Sequence, residues 1–300
     1  MKPSNLAVLL TCYNRKQKTL ACLAALSKQA LPETIELCIY LVDDGSTDGT
    51  AEAVLQAHPE VKILQGDGSL FWTGGMQLAF AEAMCNNHDF YLWLNDDTDL
   101  YPTALQRLLN TFEQLTAEQA HLRAIVVGST QDPENGEFTY GGVRQVNWLH
   151  PCKFSEKKPT NQPQPCDTMN GNCVLIPHEV AELVGGLDVT FRHYAADYDY
   201  GLRARRKGCT VWIAPGFIGT CAYNHPKTRM QNSKMPLSEQ VQKLEQPKGV
   251  DTEDVILHPF WEWKAFTERH AGLLWPIYWL MPYRRMIWLT WFGKGRELNA

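Results

Sequence analysis

Three acidic runs in this 300-residue chain follow or accompany buried-looking segments. Phe90-Tyr91-Leu92-Trp93-Leu94 leads into Asn95-Asp96-Asp97-Thr98-Asp99, and Leu41-Val42 leads into Asp43-Asp44-Gly45-Ser46-Thr47-Asp48. The third run holds Asp197 and Asp199 ahead of Arg203, Arg205 and Arg206. Crowded carboxylates such as Asp96, Asp97 and Asp99 repel one another unless solvent, donors or a cation absorb the charge. A hard divalent ion bridging to diphosphate oxygens does this, and a solvated turn is the alternative. Asp43 and Asp44 can accept hydrogen bonds from a base or ribose, or can serve as turn formers with Asp48 as a helix cap. In the third run, a carboxylate held at a helix start can act as general base toward a hydroxyl. Acids first and arginines last also suit the helix macrodipole without any chemistry.

Two further segments offer polar groups at turns. Thr11-Cys12-Tyr13-Asn14-Arg15 supplies a hydroxyl, an aromatic ring and an amide after a first apolar run. It has neither the GxGxxG of dinucleotide binders nor the GxxxxGK[ST] of P-loop enzymes. Thr11 or Asn14 can equally cap a helix. Gly66-Asp67-Gly68-Ser69-Leu70-Phe71-Trp72-Thr73-Gly74-Gly75-Met76 permits close backbone approach to a ligand and opens a helix whose N-terminus favours anions. A plain turn over packed Phe71 and Trp72 is the other reading.

The elements that must position these residues follow from hydrophobic period. Leu6–Leu10, Ile35–Val42, Val61–Leu64, Phe90–Leu94 and Ala124–Val127 are nearly continuous in apolar residues, as strands covered on both faces are. Helical stripes separate them: Leu20, Leu23 and Ala24; Leu78, Ala81 and Cys85; Leu105, Leu108, Leu109, Phe112 and Leu115. Alternation of this kind predicts βαβ units and a mainly parallel sheet, whose strand ends bind ligands. Val174–Ile176 reads as a strand, Pro177 as the first residue of a helix and Gly185-Gly186 as its stop. The polar, proline-bearing stretch Ser155–Asp167 predicts an exposed loop, and Lys227–Asp254 a second linker; either can form a lid.

With 28 Lys+Arg against 33 Asp+Glu, the net charge of −5 leaves no basic field for a phosphate polymer, so no nucleic acid partner is expected. Hydrophobic residues at 44% and charged residues at 20% exclude a disordered or fibrous chain. Nine cysteines without a CxxC pair predict buried thiols in a reducing compartment and no ordinary zinc site. The first residues lack the apolar length of a signal peptide, which predicts a cytoplasmic location. Six of the ten tryptophans fall between His258 and Phe292, where Pro276, Pro282, Arg284 and Arg285 interrupt the apolar run, so a membrane span is not expected. Packing of these aromatics on the main domain is the favoured reading, and peripheral contact with the inner face of the cell membrane is the alternative.

Together, in this order and spacing, the motifs resemble the family 2 glycosyltransferases of GT-A fold over about residues 5 to 225. The Trp72-Thr73-Gly74-Gly75 segment is similar to a rhamnosyltransferase-like bacterial subgroup. The resemblance implies an α/β GT-A domain over 1–226, with a Rossmann-like sheet, followed by a linker and helical aromatic-rich extension over 227–300. It implies that Thr11, Tyr13, Asn14, Asp43, Asp44, Trp72, Gly74, Gly75, Asp96 and Asp97 face the nucleotide sugar. Asp97, Asp99 and His225 would serve a Mg²⁺ or Mn²⁺ ion, and Asp197 would be the base. Where that family more often has Glu-Asp, this chain has Ala196-Asp197.

The activity so implied is inverting, metal-dependent transfer of a sugar from a UDP-, dTDP- or GDP-linked donor to a hydroxyl of a saccharide or lipid-linked acceptor, in polysaccharide or glycolipid synthesis. A sugar-phosphate nucleotidyltransferase uses similar groups but releases pyrophosphate. A silent sugar-nucleotide-binding protein would account for Ala196, and a glycoside hydrolase also uses paired carboxylates.

Overall fold

The computed structural model describes residues 4–119, 123–146, 149–192, 195–223, 228–229, 255–256, 259–284 and 287–288. Its centre is a sheet of β1 (Ser4–Cys12), β2 (Ile35–Asp43), β3 (Lys62–Gln65), β4 (Phe90–Leu94), β5 (Asp99–Leu100), β6 (Ala124–Gln131), β9 (Gln164–Cys166), β11 (Cys173–Pro177) and β12 (Thr210–Thr220). The spatial order is β3-β2-β1-β4-β11-β6-β12-β5, with β9 alongside β12. β1, β2, β3 and β4 pair in parallel, as do β6 and β12, while β11 runs antiparallel to both β4 and β6. A smaller sheet joins β7 (Gly142–Gln145) to β8 (Phe154–Glu156) and β10 (Thr168–Met169).

Alternation along β1 shows why its sequence reads as a continuous apolar run. Ala7 and Leu9 enter one core with α3 (Phe71–Met84), α5 (His178–Val184) and α6 (Ala196–Arg206). Leu6, Val8 and Leu10 enter the other, with α1 (Lys16–Ser27), α2 (Thr50–Ala57) and α4 (Ala104–Glu118). Both faces are covered, so both periods of the strand are apolar.

Directionality decides where the chemistry gathers. β1 and β2 end in register, Cys12 opposite Asp43, and β4 ends beside them, so the three polar turns after these strands share one edge. β11 points the other way, with Cys173 opposite Leu94, so the residues that precede it arrive at that same edge. β12 runs parallel to β6 and ends there too, at Thr220.

Two expectations are corrected. The buried face of α3 is Met76, Ala79, Phe80 and Ala83, whereas Leu78 and Cys85 are exposed. Those four positions satisfy i, i+3, i+4 and i+7 better than the stripe drawn through Leu78, so the helix is rotated from the expected phase. The stretch Ser155–Asp167 is not a free loop. β8 pairs with β7, β9 pairs with β12, and Gly216 N–H donates to Thr160 O, because edge backbone groups find partners on both sheets. Most of Lys227–Asp254 lies outside the described residues.

The C-terminal aromatics divide. In α7 (Phe260–His270), Trp263 and Phe266 are buried in the core that also holds Phe191 and Tyr200, and Tyr283 joins them. Trp261 and Trp288 stay exposed.

Candidate active site

At the shared edge, Asp96 is buried and accepts hydrogen bonds from Arg15 Nη1 (3.1 Å) and Thr19 Oγ1 (3.2 Å). Arg15 Nη1 also lies 3.1 Å from Asp97 Oδ2, so one guanidinium neutralises both carboxylates. Burial pushes the Asp96 carboxyl up to about 6 against the pull of Arg15. Asp97 Oδ1 receives the Cys221 thiol at 3.7 Å, and burial, pushing that thiol up to about 12, keeps it protonated as a donor. Asp99 lies on β5, opposite Thr220, and is exposed.

From here a chain of contacts reaches Asp197. Asn172 Nδ2 donates to Cys221 Sγ (3.7 Å), and Asn172 O accepts from Asn95 N–H (3.0 Å). Asn95 Oδ1 accepts from Trp72 Nε1 at 2.8 Å. Gly171 lies between Trp72 and Asp197: a Cβ there would stand 2.6 Å from the indole and 3.4 Å from Asp197 Cβ. Gly171 N–H donates to Asp197 Oδ2 (2.9 Å) and Tyr198 N–H to Asp197 Oδ1 (2.8 Å). Burial pushes the Asp197 carboxyl up to about 6, and these two hydrogen bonds oppose it. A carboxylate so poised accepts a proton near neutral pH. The backbone at Ala195, φ 62°, turns the chain into α6 just before it.

Only tertiary pairing recruits Asn170-Gly171-Asn172, Cys221 and the guanidinium of Arg15. The sequence signal for the first is an Asn-Gly-Asn turn before a buried strand; for Cys221 there is none. Gly171→Ala is expected to displace the Trp72 ring or Asp197, lowering kcat roughly tenfold or more and stability by about 1–3 kcal/mol. Steady-state kinetics and a thermal melt check this, and unchanged turnover would show that the indole and base tolerate the shift.

Other expected site residues have local duties. Asp44 Oδ1 accepts from Gly68 N–H (2.9 Å) and Leu70 N–H (3.3 Å), and Oδ2 from Phe71 N–H (2.9 Å), so its carboxylate caps α3. Asp43, buried, accepts from Ser46 N–H (2.9 Å). Asn14 joins the first two turns, donating its N–H to Ser46 Oγ and accepting from Thr47 N–H. Gly75 lets α3 approach β1, since a Cβ would fall 2.2 Å from Thr11 Oγ1; a Cβ on Gly74 would meet Leu70 at 3.2 Å. The close approach at these two glycines is thus to protein. Tyr13 is exposed, its ring open for stacking. A hollow of about 360 Å³ beside Lys16, Ser46, Thr47 and Gln56 is lined by none of the aspartates. His225 lies outside the described residues.

Hard oxygen donors are available for a divalent cation. Asp97 and Asp99 fit the one or two carboxylates that hold Mg²⁺ together with substrate phosphates. Among the described residues no three His, Cys, Asp or Glu side chains gather as a cage made of protein alone.

Asp199 has a different task from Asp197. Its side chain is fully buried and meets Arg203 Nε (2.7 Å), Arg269 Nη1 (2.7 Å) and His270 Nε2 (2.8 Å). Burial works against its ionisation, yet the hydrogen bonds from His270, Arg203 and Arg269 hold the carboxyl below its ordinary range. Arg269 also reaches Asp188 at 2.7 Å, so α7 is tied to α6 and to the loop before it.

Residues 7–177, more than half of the chain, match the sequence profile "Glycosyl transferase family 2". The chain belongs to that family. Two curated relatives, the N-acetylglucosaminyl-diphospho-decaprenol L-rhamnosyltransferases of Mycobacterium tuberculosis strains CDC 1551 and H37Rv, are each 24% identical over 202 residues, 59% of this chain. The chain spans only 62% of their length. Among solved structures, S. aureus TarS 1–349 in complex with UDP aligns with TM-score 0.53 and 14% identity, over 98% of this chain and 76% of that one. The mannosyltransferase PcManGT from Pyrobaculum calidifontis, in complex with GDP-Man and Mn²⁺, aligns with TM-score 0.52 and 16% identity over the same shares. At these identities the likeness is one of fold, and that fold is the GT-A fold which the sequence resemblance implied.

Proposed function

We propose that this family 2 glycosyltransferase moves a sugar from a nucleotide diphosphate donor to an acceptor hydroxyl, with inversion and with a divalent cation. The observation that carries the reading is the continuous run of contacts from Asp97 through Cys221, Asn172, Asn95, Trp72 and Gly171 to Asp197. Such a path holds an acid pair for the diphosphate and a raised-pKa base in one rigid frame. Residues 1–226 would form the donor-binding unit and 227–300 its extension.

In this reading Tyr13 stacks on the base and Asp43 accepts from the nucleoside. Asp97 and Asp99 would hold a divalent cation, which would supply positive charge to the departing diphosphate. Asp197 takes the acceptor proton as the new glycosidic bond forms and the bond to the donor oxygen breaks. Arg15, released from Asp97 when donor binds, remains beside Asp96 as a second cation. The relatives' activity, by their name, supports a lipid-linked acceptor and a rhamnosyl donor, hence a role at the cytoplasmic face of a membrane. No helix among the described residues is long and apolar enough to cross one.

The test is a thermal-shift screen with UDP-, dTDP- and GDP-sugars in the presence of Mn²⁺, followed by turnover on a diphospholipid-linked N-acetylglucosamine. One donor class should raise the melting temperature, because a ligand of the native state stabilises it. In calorimetry, Asp99→Ala should lose most of the Mn²⁺-dependent part of donor affinity, roughly tenfold or more. Affinity unchanged by that substitution would move the cation elsewhere, and pyrophosphate release from a nucleoside triphosphate would favour a nucleotidyltransferase.

A further inference from the structure

The helical run after α7 turns an aliphatic face to solvent. It comprises a 3₁₀ turn at Gly272–Leu274, α8 (Trp275–Leu280) and a second 3₁₀ turn at Met281–Tyr283. Leu273 is 98% exposed, Ile277 57% and Leu274 55%, and Leu280 and Met281 follow at 39% each. These five recur at i, i+1, i+4, i+7 and i+8, one face of a helix. The opposite face is anchored: Trp279 Nε1 donates to Phe260 O (3.2 Å), and Tyr283 is buried beneath Phe260. Of the tryptophans that made the segment look like an anchor, Trp263, Trp275 and Trp279 face protein, while Trp261 and Trp288 are exposed. The aliphatic residues between them face outward.

Charge distinguishes the possible occupants of this face. From Gly272 to the last residue the chain carries Arg284, Arg285, Lys294 and Arg296 against Glu297 alone, a net +3 on a protein whose net charge is −5. Arg284 is exposed at the end of the aliphatic face, and Trp288, four positions on in the sequence, is 60% exposed. Apolar side chains bordered by arginine and tryptophan on a positively charged segment match the boundary between headgroups and acyl chains of an anionic bilayer. In a two-fold contact with a second copy this positive segment would meet its own like charge.

We infer that the face formed by Leu273, Leu274, Ile277, Leu280 and Met281 docks the protein on an anionic phospholipid surface. The inference deepens the lipid-linked acceptor reading and rests on it only for its purpose: through the α7 anchor at Asp199, a membrane-seated α8 holds α6 and Asp197 in fixed relation to the surface.

The test is co-sedimentation of the full chain with vesicles of phosphatidylcholine containing phosphatidylglycerol, with neutral vesicles as control. Binding to anionic vesicles is expected, weakened by salt, and reduced roughly tenfold or more in the double variant Leu273→Glu, Ile277→Glu. These side chains are exposed, so its melting temperature and its donor-induced thermal shift should stay as in the parent. Failure of the parent to bind vesicles, or equal binding by the variant, overturns the inference while leaving the transferase reading intact. A concentration-dependent dimer in sedimentation equilibrium that the double variant abolishes, without vesicle binding, assigns the face to a second copy and likewise overturns it. Loss of donor binding in the parent would instead overturn the transferase reading, with vesicle binding unaffected.

Discussion

Asp197→Asn is expected to turn over roughly 10²–10⁴ times more slowly than the parent while binding donor nucleotide equally well. That loss is about 3–5 kcal/mol of barrier. Binding should be retained because Asp197 is separated from Asp96 and Asp97 by Gly171, Trp72 and Asn95. A pH profile strengthens the test. Asp197 acts as base only when ionised, and burial has pushed its carboxyl up to about 6, so kcat/KM should fall as pH drops through that value. Asp96 is pushed up to about 6 as well; where its ionised form is needed to hold Arg15 at the donor, the acid limb of the logarithmic plot should approach a slope of about two. In Asp96→Asn the slope should fall to about one. Full activity in Asp197→Asn, or an acid limb that survives in it with both titrations, would assign the base elsewhere.

These raised values act on stability with the opposite sign. A carboxyl whose folded pKa lies above its unfolded one binds protons more tightly in the folded state. Its contribution is present at low pH and is lost as pH rises through about 6, so at neutral pH both acids are held ionised at a cost in stability. Two buried carboxyls held ionised at such a cost are what a site that binds or moves charge would need.

The second large effect lies two residues from Asp197. Asp199→Ala is expected to destabilise the protein by about 3 kcal/mol, the lower part of the range for breaking a buried ion pair, because Arg203 and Arg269 remain partly exposed and can regain water. For a chain of 300 residues the melting temperature should fall by roughly 5 °C. His270 is the telling partner. Its Nε2 faces Asp199 at 2.8 Å and its Nδ1 faces Arg206 Nη2 at 2.8 Å, so a neutral ring donates to the acid and accepts from the arginine. Without Asp199 the ring has no acceptor, and α7 should loosen from α6. Limited proteolysis is then expected to release the segment that begins near Pro259. A melting temperature within a degree of the parent, with no change in cleavage, would show that the buried aromatics Trp263 and Phe266 hold α7 unaided.

The strand ends, their acids and the family are legible in the chain itself because they depend on local period and short spacing. An apolar run covered on two faces, followed at once by aspartates, says what Phe90–Asp99 is before any coordinates exist. Parallel pairing then puts Cys12, Asp43 and Leu94 at one edge. What a window of residues cannot contain is the choice between neighbouring carboxylates. Asp43 and Asp44 look alike in sequence, yet backbone N–H groups of Gly68, Leu70 and Phe71, 24 to 27 positions away, bind Asp44 as a cap. Asp197 and Asp199 share one helical turn, yet Arg269 and His270, 70 and 71 positions away, claim Asp199 for structure. Rotation of α3 by about half a turn, the antiparallel entry of β11 that delivers Gly171 to the site, and the outward aliphatic face of α8 are settled in the same way. Local sequence determines which segments form and what they carry; partners distant along the chain decide which of those groups are satisfied by protein and which are left for a ligand, because desolvation and hydrogen bonding are properties of the packed neighbourhood.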